Sequence, residues 1–107
     1  MAMKKPNHFN TLKKRYPTYF AALEQLGESV QMLGPLDAKT CHLIQLAAAA
    51  TNRSEGAVHS HARRAREAGA TIEEINHALL SVTSTIGFPA VSAALSWVDD
   101  LDEMTDA

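Results

Sequence analysis

The chain has 107 residues, 46% of them hydrophobic and 21% charged, and carries a net charge of −2. That is one domain's length, too apolar for a disordered chain and not basic enough for a nucleic-acid binder. The longest nearly unbroken apolar run, Leu43 to Ala50 around Gln45, falls far short of the ~20 residues of a membrane span, and the single cysteine, Cys41, excludes an internal disulfide framework.

In chain order, residues 1–16 read as a basic arm. Lys4, Lys5, Lys13, Lys14 and Arg15 are half of the ten basic residues, and no acid precedes Glu24. No basic-then-apolar leader opens the arm, so a cytoplasmic protein is expected, with residues 1–107 as a single domain. Phe20, Leu23, Leu26 and Val30 recur at threes and fours and predict a helix from about Pro17 to Gln31, broken by Gly34-Pro35. Asp37 suits the N-cap of a second helix, Ala38 to about Thr51. Its LIQLAAAA run is apolar nearly all round, which predicts the most buried helix, and its alanines let neighbouring axes approach closely.

Ser54 or Asn52 caps a third helix that runs to Ala68, with Gly69 at the left-handed C′ position. Thr71 and Glu74 form a T-x-x-E capping box opening a fourth helix, Ile72 to about Ile86, which Gly87 stops. Pro89 suits the first turn of a fifth helix carrying Val91, Leu95 and Val98, and residues 99–107 form an acidic tail. The fold class is therefore all-α, with five or six short helices. The central helix has more apolar faces than short neighbours can cover in so small a chain, which predicts a homo-oligomer.

The stretch SEGAVHSHARRAREAG, Ser54 to Gly69, carries the chemistry. At about 100° per residue, Ser54 and His61 nearly eclipse, whereas His59 points about 160° away from His61. His59 and His61 therefore do not converge within one regular helix. Imidazoles titrate near neutrality and serve as acid, base or metal ligand, and His42, His59, His61 and His77 all fall in predicted helices. Cys41 and His42 diverge by about 100°, so this pair does not make a thiolate couple. Trp97 and Tyr19 read as core or interface anchors, and Cys41 as a buried, inert thiol. Arg63, Arg64 and Arg66 favour the dipole at the end of their helix and are expected in solvent, although an arginine there also suits a substrate carboxylate.

Taken together, LDAKTCHLIQLAAAA, SEGAVHSHARRAREAGAT, IEEINHALL and GFPAVSAAL resemble the carboxymuconolactone decarboxylase and alkyl hydroperoxidase D superfamily over about residues 17 to 98. The resemblance implies an alkyl hydroperoxidase D-like helical bundle that assembles into trimers or hexamers, with active sites near subunit contacts. In the peroxidase branch the third helix opens C-x-x-C-x-x-x-H, with a glutamate twelve residues ahead of the first cysteine. Here those positions are Ser54, Ala57, His61 and His42, so only the histidine is kept. Peroxide reduction needs a thiolate to attack oxygen and a second thiol to resolve the sulfenic acid, and neither is present at these positions.

The decarboxylase branch does not rely on the cysteines. It implies loss of CO₂ from a carboxylated lactone, with His61 as proton donor tuned near neutral pH, His42 opposing it and Ser54 as a hydrogen-bond donor. Arg53 or Arg63 then holds the substrate carboxylate. Two other readings stand beside this one. One makes His42, His59 and His61 ligands of a divalent metal, with His59 supplied by a neighbouring chain. The other is a non-catalytic binding protein on the same fold. The expected partners are a small molecule and copies of the chain, with neither nucleic acid nor membrane.

Overall fold

The computed structural model describes residues 7–105, with side chains described for residues 8–101. The described residues form seven helices and no strand. They are α1 (Asn7–Arg15), α2 (Pro17–Gln31), α3 (Ala38–Thr51), α4 (Glu55–Glu67), α5 (Ile72–Leu80), α6 (Thr83–Ile86) and α7 (Phe88–Thr105). Much of the expected basic arm is thus helical. In α1 the Phe9 ring meets Phe20 of α2 edge-on at 5.5 Å, and Lys13 Nζ lies 3.1 Å from Glu24 Oε2. Lys13, Lys14 and Arg15 occupy its last turn, where the helix dipole favours cations. Residues 1–6 lie outside the described part, as do 106–107 of the acidic tail. The rest of that tail continues α7.

Pro17 opens α2 at a position where its missing amide proton is no loss. The apolar stripe predicted for this helix is present but buries nothing completely. Leu26 stays 60% exposed and Val30 54%, and Tyr19, expected as an anchor, is 61% exposed. By contrast, α3 and α4 form a tightly packed helical hairpin. Asp37 Oδ1 accepts from the Thr40 amide at 2.8 Å to start α3. Leu46, Ala49 and Ala50 of α3 then bury against Val58, Ala62 and Ala65 of α4. The intervening turn places Arg53 at φ 54, the left-handed region, and Ser54 caps α4 by accepting from the Ala57 amide at 3.3 Å.

A Schellman motif closes α4. The Ala70 amide donates to the Ala65 carbonyl and the Gly69 amide to the Arg66 carbonyl, with Gly69 at φ 103. The capping box at α5 is complete: Glu74 N donates to Thr71 Oγ1 at 3.0 Å, and Thr71 N donates to Glu74 Oε1 at 2.9 Å. The other Glu74 oxygen accepts from Lys39 Nζ at 3.0 Å, tying α5 to the start of α3. Thr71→Ala is expected to destabilise the fold by about 1 kcal/mol, read as the shift in urea midpoint at unchanged slope.

The fourth predicted helix is two helices. The Ser81 and Thr83 hydroxyls donate to the Ala78 and Leu80 carbonyls at 2.8 and 2.7 Å, and such local bonds compete with helix continuation. Beyond the turn at Gly87, α7 places Ala90, Val91, Ala94, Val98 and Leu101 in the core at spacings of three and four. The interior is therefore shared among α3, α4, α5 and α7. Trp97 packs at its edge, as expected of an anchor. Among the described residues no helix is long and apolar enough to cross a membrane.

Candidate functional site

The hairpin brings His42 of α3 and His61 of α4 together. Their ring centroids are 5.8 Å apart and the planes are tilted by 31°. The Nδ1 atom of each ring is buried and has no hydrogen-bond partner among the described residues. An orphaned buried nitrogen is destabilising, so each of these atoms calls for a polar partner.

Beside the pair runs a cleft of about 1000 Å³, with α1 and α2 on one side and α3 and α4 on the other. Phe9, Phe20 and Leu23 give it an apolar wall, while His42, Gln45, Arg64 and Glu67 line the opposite wall. His61 is not among the lining residues. The imidazole that meets the cleft is thus His42, with His61 beside it.

Both rings are held neutral at pH 7. Burial, and after it the charges of Arg64, His42 and Arg63, together lower the His61 pKa to about 4. Burial and Arg64 also lower that of His42, while Glu67 acts in the opposite sense. The sequence reading places His61 as a proton donor near neutrality, but in the ligand-free chain it is an unprotonated base. A histidine whose folded pKa lies below its unfolded value contributes stability that is complete above about pH 6.5 and is lost as pH falls toward 4. Partial solvent exposure screens this contribution to about 1–2 kcal/mol. Urea midpoints between pH 7 and 4 are expected to fall less in His61→Gln than in the unsubstituted chain.

The arginines sort differently from expectation. Arg53 is exposed at the α3–α4 turn and does not line the cleft. Arg63, expected in solvent or on the substrate, is the buried charged residue of the described part at 7% exposure, with no carboxylate within 4 Å among described residues. Burial lowers the pKa of its guanidinium. Arg64 is the arginine on the cleft wall, whereas the sequence favoured Arg53 or Arg63 for the substrate and left Arg64 among the solvated arginines of its helix end. It lies three residues after His61, one turn along the same face, and that spacing is a signal that could have found it.

The three-histidine metal set does not form within the chain. His59 points elsewhere, its Nε2 3.8 Å from a Glu55 carboxylate oxygen, and the described residues contain no group of three His, Cys, Asp or Glu able to hold an ion. The Ser54 oxygen is engaged as the α4 cap, two turns from His61. Cys41 is half-buried, its thiol directed to the Leu36 carbonyl at 3.7 Å, apart from the histidine pair.

Residues 17–100, from the first turn of α2 almost to the end of α7, match the carboxymuconolactone decarboxylase family. The chain belongs to that family. Among its relatives, an uncharacterized protein of Methanocaldococcus jannaschii is 36% identical over 93 residues, 83% of this chain and 87% of that one. An uncharacterized protein of Haemophilus influenzae is 42% identical over 57 residues, 53% of this chain and 50% of that protein. The fold is similar to the apo crystal structure of a carboxymuconolactone decarboxylase family protein from Legionella pneumophila. The TM-score is 0.76 at 23% identity, covering 92% of this chain and 88% of that one. The family match spans both histidines and the whole hairpin that holds them.

Proposed function

We propose that this member of the carboxymuconolactone decarboxylase family is a lyase that removes CO₂ from a small carboxylated lactone by acid–base chemistry at His42. The observation that supports it is the neutral His42–His61 pair, with both Nδ1 atoms unpartnered, beside Arg64 on the wall of a substrate-sized cleft. Arg64 orients the substrate carboxylate, and the Phe9 and Phe20 wall removes water from it. The bond from ring carbon to carboxylate carbon breaks, CO₂ leaves, and the electron pair passes into the conjugated lactone. A proton held by His42 is then delivered to carbon, and solvent restores it. No electron donor or acceptor is needed.

The negative charge of the incoming carboxylate favours the imidazolium form of a nearby histidine. A pair that is neutral when empty thus becomes a proton donor once substrate is bound. Several copies of the chain, as trimers or hexamers, cover the exposed stripe of α2 and close the cleft in this reading, which operates in the cytoplasm. The test is incubation of the untagged chain with carboxymuconolactone, following CO₂ release and loss of the lactone acid. Turnover that requires His42 supports the reading. Binding without turnover makes the chain a binding protein on this fold, and neither binding nor turnover removes the reading.

A further inference from the structure

We propose that His61 is a positioning residue that acts through His42: the two imidazoles hold one proton in common, taken up from solvent when a carboxylate enters the cleft beside Arg64. This rests on the function proposed above and adds to it a stoichiometry and a second residue.

The geometry provides the argument. His42 meets the cleft and His61 does not, so His61 has no direct route to a ligand there. An N–H···N bond of about 2.9 Å between two imidazoles, each nitrogen about 1.1 Å from its centroid, places the centroids about 5.1 Å apart. At 5.8 Å the rings are within about 1 Å of that arrangement. With both Nδ1 atoms buried and unpartnered, each ring has a lone pair that no other described group claims. With each neutral ring carrying its hydrogen on Nε2, one added proton converts two Nδ1 acceptors into a donor and an acceptor that can satisfy each other. Two protons would set two cations side by side, so uptake stops at one.

The charges around the pair explain why the proton arrives with the ligand. From α4 come Arg63, Arg64 and Glu67, and from α2, across the cleft, Glu24 and Glu28. Glu24 is matched by Lys13, as Glu74 of α5 is matched by Lys39 of α3. The α7 side chains buried in the shared core are apolar. In the empty cleft Arg64 opposes protonation of both rings, and Arg63 opposes that of His61. A carboxylate at Arg64 offsets the nearer cation and adds a negative charge facing His42.

The experiment uses the full chain and an unreactive probe, the saturated lactone acid 5-oxotetrahydrofuran-2-carboxylate. Calorimetric titrations at pH 7 in phosphate and in Tris, whose ionisation heats differ, count the protons exchanged. About one proton taken up per probe bound is expected, falling below half in His61→Gln while the probe still binds. Binding with the same heat in both buffers, or full uptake retained by His61→Gln, overturns the proposal and leaves the proposed function standing. Absence of binding by the unsubstituted chain overturns both. Should His61→Gln fail to fold, ¹³C-histidine spectra of the unsubstituted chain decide. Two histidine ring signals moving together toward the imidazolium position as probe is added support a shared proton, and one moving or none overturns it.

Discussion

His42→Gln is expected to lower turnover of a carboxylated lactone by about 10²–10⁴-fold, the usual contribution of a positioned general acid or base. Glutamine keeps a polar side chain of similar reach at the cleft wall but has no group that exchanges a proton near neutral pH. Loss should therefore fall mainly on kcat, with KM nearly unchanged. The substitution should leave the fold intact, because His42 is only half-buried and its Nδ1 makes no hydrogen bond to a described residue. Steady-state kinetics with a melting curve on the same sample check this. A variant that keeps full turnover would place the proton donor elsewhere.

Arg64→Gln is expected to raise KM for the same substrate by about 10–100-fold, the worth of a charge-assisted hydrogen bond to a carboxylate. Its second effect has the opposite sense. The Arg64 charge helps hold His42 and His61 neutral, so its removal raises the pKa of both rings. The alkaline limb of the kcat/KM profile, set by the proton-bearing form of the pair in the free enzyme, then moves to higher pH. Arg64→Lys retains the positive charge but not the two-pronged geometry, so it should recover the profile's position and only part of the affinity. Arg53→Gln, by comparison, should change neither quantity, since Arg53 is exposed at the α3–α4 turn outside the cleft lining.

Ser54 and Ala57 at the opening of α4 carry no thiol, and the Ser54 oxygen is committed to the helix cap. Cys41 is held at the start of α3 against the Leu36 carbonyl. A shared fold does not fix function, so the residues at the site must carry the functional argument.

Much of this protein was legible before any coordinates. The bounds of α2 and α3, the Asp37 and Ser54 caps, the Thr71–Glu74 box and the stop at Gly69 are produced by contacts within one helical turn. Residue order alone sets such contacts. The same local geometry separated His59 from His61, and the family resemblance set His42 opposite His61. Tertiary structure decided the rest. The break between α5 and α6 is the exception: the Ser81 and Thr83 hydroxyls bond α5 carbonyls three residues back, a local contact that the helical periodicity hid. Arg63 and Arg64 are neighbours of the same type in sequence, yet one is buried and the other faces the cleft, because that difference depends on which distant elements cover each side of α4. The neutrality of the histidine pair has the same origin. Desolvation is a property of everything packed around a ring, most of it far away in the chain, and spacing along a helix carries no record of it.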